Sequence, residues 1–192
     1  SVSAFLLNRS SDLEIKIDVI GDTYVNICAV EGAANTYTSV AAAEGAVTIG
    51  GKVFGGGKGI ADSFRCGKAM VTGGTNVHIG NGTTGGSVYG GGEVGRVEGN
   101  AVVMIGLTPK TNETSAKSAP HIMGNVFGAG SGVKTHGYSA LLRGKTEVTI
   151  QNDAKVDSCV YGGGEIASVG RFNVKTPNST DAPSWLPIGM PY

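Results

Sequence analysis

The chain has 192 residues, 33 of them glycine against a usual ~7%, and its 15 basic and 15 acidic residues give a net charge of +0. That balance leaves no basic face for nucleic acid or an anionic membrane surface, and a hydrophobic content of 40% speaks against wholesale disorder. No apolar run approaches the ~20 residues that span a bilayer, and the glycines lack the every-third period of collagen.

Residues 1–46 carry weak repeat signals around one strand-like run, Val25-Asn26-Ile27-Cys28-Ala29-Val30, and read as N-terminal coils or a cap. Beyond them two motifs interleave. The first is Val-x-Ile, at Val25/Ile27, Val47/Ile49, Val77/Ile79, Val103/Ile105 and Val148/Ile150, with Phe172/Val174 as a weaker copy. The second is Lys52-Val53-Phe54-Gly55-Gly56-Gly57, which returns at Ser87–Gly92, Asn125–Gly130 (with Ala129 inside the glycine triplet) and Cys159–Gly164. Both read as short strands, because β-branched and aromatic residues alternate with polar ones and glycine ends each run. An apolar point after each glycine cluster, at Val97, Val133 and Val169, predicts a third strand per repeat. Three insertions, Lys58–Gly74, Leu107–His121 and Gly130–Lys145, have loop composition, and the first and third should share a corner. Pro177–Tyr192 is a Pro-rich tail or linker holding the single Trp185.

Repeats that cannot bury their apolar face alone must stack. The expected fold is all-β: a right-handed parallel β-helix of about five or six coils over 47–176, reading as a segment of a longer solenoid. Val53, Val88, Val126 and Val160 form one expected interior ladder, and Ile49, Ile79, Ile105 and Ile150 another. Phe54, Tyr89, Phe127 and Tyr161 form a third, aromatic one. The glycine triplets supply corners that need positive φ or close approach of backbones.

Several motifs look chemical and fail on context. Gly90-Gly91-Gly92-Glu93-Val94-Gly95 fits G-x-G-x-x-G, but no amphipathic helix follows to hold a pyrophosphate. Gly56-Gly57-Lys58-Gly59 lacks the Ser/Thr of a phosphate loop. The position after each triplet holds Lys58, Glu93, Ser131 and Glu165, too mixed for calcium-binding β-roll turns but well suited to stacking without like-charge repulsion. His78 should point outward in a row with Asn26, Thr48, Met104 and Thr149, which offers no metal set. His121 and His136 fall in insertions without partners. Asp153 and Asp157 are the nearest approach of two carboxylates, short of the paired acids a glycosidase needs. No cofactor is expected. Cys28, Cys66 and Cys159 read as buried or half-buried free thiols. The Asn-x-Ser/Thr sites at Asn8, Asn81, Asn112 and Asn178 hint at exposed loops.

The pattern Asn-Val-Phe/Tyr-Gly-Gly-Gly followed by Gly-x-Thr-x-Val-x-Ile resembles the glycine-rich repeats of adhesin-like β-helix surface proteins of Bacteroidetes, broadly similar to autotransporter passengers. The resemblance implies a non-enzymatic extracellular segment at the bacterial cell surface, acting as an adhesin or as a structural scaffold or fibre component. The alternative is a carbohydrate-active β-helix, a polysaccharide lyase or tailspike-like depolymerase. Partners would be host or surface glycans or proteins, or further copies through the solenoid ends, with no nucleic acid and no membrane span in this segment. Binding is expected on the insertions, through Arg65, Lys68, Lys110, Tyr138 and Arg143. Thr108–Ser118 and Tyr138–Arg143 are expected to be replaceable without loss of the fold.

Overall fold

The computed structural model describes residues 18–40, 47–60, 69–111, 118–134 and 139–170. These residues are all-β, in five separate sheets with almost wholly parallel pairing, and contain no α-helix. The longest strands, Thr23–Ile27, Thr75–Ile79, Ala101–Ile105 and Thr146–Ile150, lie side by side in that order. The Val-Phe/Tyr pairs Val53–Phe54, Val88–Tyr89, Val126–Phe127 and Val160–Tyr161 form a second parallel sheet, in the expected register. Thr48–Ile49, Thr83–Thr84, His121–Ile122 and Lys155–Val156 form a third. Met70–Val71 pairs with Arg96–Val97, and single bridges extend that ladder to Val19, Leu142 and Val169. Lys58, Glu93, Ser131 and Glu165 bridge one another in parallel, so the mixed-charge ladder expected from the sequence is present. The fifth sheet is a hairpin of Ala29–Glu31 and Tyr37–Ser39, with Thr108–Pro109 parallel to its second strand.

The chain visits these ladders in one cyclic order: the Val19 ladder, the five-residue strand, the Thr48–Ile49 ladder, the aromatic pair, then the Lys58 ladder. Four such circuits are described, and Val169 starts the next. Three details differ from the sequence reading. Val47-Thr48-Ile49 is not a copy of Val77-His78-Ile79, because it lies only four residues ahead of Val53; Ile49 stacks on Thr84, Ile122 and Val156. Ile27 takes the place expected of Ile49, beside Ile79, Ile105 and Ile150. In the Val19 ladder the third insertion displaces Val133, and Leu142 occupies the rung. Phe172/Val174 lies outside the described residues.

Alternation within the five-residue strands points Val77, Ile79, Val103 and Ile105 inward, where they are fully buried with Val88, Ile122 and Val126. A second cluster, Val71, Val97, Ala101, Ala129 and Leu142, fills the space toward the Val19 ladder. Fully burying each such aliphatic side chain contributes roughly 1.5–3 kcal/mol. Thr23 and Thr75, inward at the start of their strands, would leave hydroxyls in that interior. Each instead donates 2.6 Å to the first triplet glycine of its own circuit, Gly55 and Gly90 respectively. The aromatic rings stack in one column, with centroids 4.6, 5.0 and 4.9 Å apart and planes within 10°.

The triplet glycines have ordinary negative φ; close approach is what requires them. A Cβ on Gly90 would lie well inside contact distance of the Gly128 carbonyl oxygen, and one on Gly55 would meet the Gly90 carbonyl in the same way. At Gly163, in the fourth circuit, an added Cβ meets nothing within 4 Å. Gly90→Ala should therefore cost about 3 kcal/mol, as overpacking does. Gly163→Ala should be neutral or stabilising by ~0.5 kcal/mol through the unfolded chain. Urea unfolding of the two variants measures both.

Candidate functional site

The insertions fall at two corners, in the first and third circuits, whereas the second and fourth turn tightly. One corner lies between the Lys58 and Val19 ladders and carries the 59–69 and 132–141 stretches. The other follows the five-residue strand and carries Leu107–Pro120 together with the 28–47 stretch, an insertion the sequence reading did not separate. Cys28, at φ +46°, turns the chain out of its strand into the hairpin. The hairpin folds back over the sheet and is tied there by the Val40 amide to the Cys28 carbonyl (3.1 Å) and the Lys110 amide to the Ser39 carbonyl (2.9 Å).

This roof changes the outward row. His78 does face away from the interior, beside Asn26, Met104 and Thr149, but it is only 3% exposed. The Tyr37 ring stacks on its imidazole, with centroids 3.6 Å apart, and its Nδ1 lies 2.9 Å from the Asn26 Oδ1. Burial pushes the His78 pKa below its usual 6.5, so the neutral ring is the one that fits under the hairpin. Thr48, expected in this row, belongs to another sheet.

Of the expected binding residues, Arg65, Lys68 and Tyr138 lie outside the described residues. Lys110 is exposed beside the hairpin. Arg143 is half-buried, 3.5 Å from the Glu98 carboxylate, which also pairs with Arg96. Lys110 and Arg143 therefore flank different ladders, Thr108–Pro109 and the Leu142 rung, and Arg143 is engaged within the protein. The Tyr138–Arg143 stretch is not a replaceable loop either. Ser139, Ala140, Leu141 and Leu142 are buried, because the insertion must return Leu142 to its rung. Within Thr108–Ser118, Thr108–Pro109 pairs with the hairpin and the Ser118 carbonyl accepts from the Asp153 amide at 3.2 Å.

Two clusters escaped the sequence reading. His121 sits in a strand, and its Nε2 lies 2.7 Å from the Asp157 carboxylate, whose other oxygen meets Lys155 at 2.8 Å. Lys155 and then His121 hold the Asp157 carboxyl below its usual range. Aligning His121 with Lys155 by the thirty-odd-residue repeat would have found this pair. The second cluster joins circuits two and four. The Tyr89 hydroxyl donates to the Glu165 Oε2 at 2.5 Å, and the Ser131 hydroxyl donates to the same oxygen at 2.9 Å. Burial and the Glu165 carboxylate push the Tyr89 phenol up to about 12, while Tyr89's hydrogen bond draws the Glu165 carboxyl down. Lys58 meets Glu93 at 3.1 Å on the same ladder. Cys159 is exposed rather than buried, since it faces outward on the fourth circuit; Cys28 is half-buried, and both are free thiols.

Among the described residues, no group of three or more His, Cys, Asp or Glu side chains is placed to hold a metal ion, and no helix is long and apolar enough to cross a membrane. Gly90–Gly95 leads into the Arg96–Val97 strand, not a helix. Comparisons with protein-family models, with curated proteins and with solved structures return no match.

Two pH responses follow. A His78 pKa lowered on folding means that the unfolded chain binds the extra proton. Stability should be level above pH ~6.5 and decline as pH falls below it; His78→Gln should flatten that decline. The lowered Glu165 pKa works through the acid range: its contribution is present above the ordinary 4.5 and is lost as pH falls through the folded value. Tyr89→Phe should cost about 1.5 kcal/mol at pH 7 and less at pH 3. Chemical unfolding across a pH series checks both.

Proposed function

We propose that the sheets are the faces of one right-handed parallel β-helix, and that this solenoid serves as a non-enzymatic extracellular scaffold or adhesin segment. The observation that carries the reading is the pair of threonine hydrogen bonds across the interior. Thr23 to Gly55 and Thr75 to Gly90 each join the five-residue strand to the aromatic sheet within a single circuit. The right hand is the one that parallel crossover connections take.

The scaffold role is supported by where the polar groups go. Lys58–Glu93, Arg143–Glu98, His121–Asp157 and Ser131–Glu165 all join residues of neighbouring circuits. Side chains that elsewhere would converge on a substrate are here used to tie one turn to the next. Cell-surface location and glycan or protein partners belong to the same proposal, with the insertion corners as the recognition surface. Lys110, exposed beside the hairpin, is the described residue best placed to contribute.

The test pairs attachment with turnover. The chain should bind immobilised glycans or surface proteins and leave acidic and neutral polysaccharides undegraded with or without calcium. Lys110→Glu should weaken attachment severalfold at unchanged stability, whereas Leu142→Ala should cost about 2–5 kcal/mol by emptying a core rung. Sustained polysaccharide cleavage would replace the scaffold reading with the carbohydrate-active one.

A further inference from the structure

We infer that copies of this chain stack head to tail, the first circuit of one copy lying in register on the fourth circuit of the next. The inference rests on the solenoid reading above and adds the partner that its exposed fourth circuit takes. In circuits two and three the inward residues of the central sheets are fully buried. In the fourth circuit the inward Ile150 is 37% exposed and Val160 47%, Val148 and Val156 are half-buried, and Tyr161 at the end of the aromatic column is 46% exposed. Gly162 and Gly163 have nothing within 4 Å of an added Cβ, although Gly90 and Gly128 at the first station and Gly91 at the second are crowded by the next circuit. The first circuit is likewise incompletely covered, with Val25, Ile27 and Ile49 only half-buried.

The first circuit fits the open end rung by rung. Val25 and Ile27 of the incoming copy would lie on Val148 and Ile150, Ile49 on Val156, and Val53–Phe54 on Val160–Tyr161, adding a fifth ring to the aromatic column. Lys58 would meet Glu165, as it already meets Glu93 at 3.1 Å within its own chain. The alternation of inserted and tight circuits would also continue unbroken. The chain's own continuation fits less well. In the sequence, the offsets that lead from Val97 to Ala101, Val103 and Ile105 lead from Val169 to Asn173, Lys175 and Pro177, which do not repeat the apolar pattern. Val19 of the incoming copy takes the position of Val169, so docking displaces Val169–Gly170 and the hydrogen bonds from the Leu142 amide to Ser168 (3.0 Å) and from the Gly170 amide to Leu142 (2.8 Å). A head-to-tail interface that continues the coil axis does not return on itself, so it propagates as a filament, at about 19 Å per four-circuit copy for a ~4.8 Å strand step.

Cysteine trapping tests this. Residues 52, 87, 125 and 159 occupy one outward row, because each directly precedes a residue of the paired aromatic strands. Adjacent rungs suit a disulfide, which needs Cα atoms roughly 4.4–6.8 Å apart. Asn125→Cys should close with Cys159 inside one chain at any concentration. Lys52→Cys is three rungs from Cys159 in its own chain and should link to it only between chains, giving a ladder of oligomers that grows with concentration. Peptide mapping should find the 52–159 linkage. Val160→Lys, which places a charge on the open edge, should reduce that linkage on the order of tenfold and leave the Asn125→Cys bridge intact. If the intrachain bridge forms and the 52–159 linkage does not, or if copies link only 52 to 52 or 159 to 159, head-to-tail stacking is overturned and the solenoid reading stands. If neither bridge forms, both readings fall.

Discussion

The rest of the structure depends on how closely successive circuits approach at the glycine triplets. A parallel ladder sets its strands ~4.8 Å apart, and at Gly55, Gly90 and Gly128 the next circuit's carbonyl stands where a Cβ would project. Glycine is needed there for its small size, since none of these positions has a positive φ. With the backbones held that close, the valine before each aromatic turns inward and the aromatic rings fall into a column at stacking distance. The interior threonines then reach the triplet carbonyls of their own circuit. High glycine content, valine ladders and stacked rings are therefore consequences of one spacing.

That spacing also governs the polar residues. Side chains in register repeat every strand step, so like charges would stack directly and repel. The chain alternates instead: lysine, glutamate, serine and glutamate along the Lys58 ladder, with Tyr89 and Ser131 both donating to Glu165. The outward histidines follow the same logic, His78 covered by Tyr37 and His121 matched by Asp157 on the neighbouring circuit. Much of the polar side-chain chemistry of the described residues is thus spent between neighbouring circuits.

Legibility in the sequence followed motif length and distinctness. The Val-Phe/Tyr-Gly copies declared both strands and register, since aromatic, valine and glycine recur together, and the parallel pairing of Val88–Tyr89 with Val126–Phe127 follows them. The Thr83–Thr84, His121–Ile122 and Lys155–Val156 ladder was invisible, because two residues of changing type carry no period. That gap misplaced Ile49 and hid the His121–Asp157 pair. The hairpin roof escaped for another reason. Its burial of His78 is tertiary, and alternation within Thr75–Ile79 reports only which way a side chain points, not what later covers it. Leu142 shows the same limit from the opposite side: a rung set inside a loop-like stretch by where the chain must return.

The corner after the Lys58 ladder joins these points. In the inserted circuits the residue there is glycine, Gly59 and Gly132. In the tight circuits it is β-branched and left-handed, Val94 at φ +58° and Ile166 at φ +53°. Such a conformation costs of order 1–3 kcal/mol, which burial of the side chain can offset. Val94 has that compensation, being 7% exposed beneath the third circuit. Ile166 occupies the equivalent corner on the last circuit of the described residues and is 47% exposed. The cover that offsets the cost at Val94 is thus missing at Ile166 among the described residues. The two corners share a backbone conformation and differ in cover, so the left-handed turn is set by the short return from Glu93 to Val97 and from Glu165 to Val169, and burial of the side chain follows from it and does not cause it.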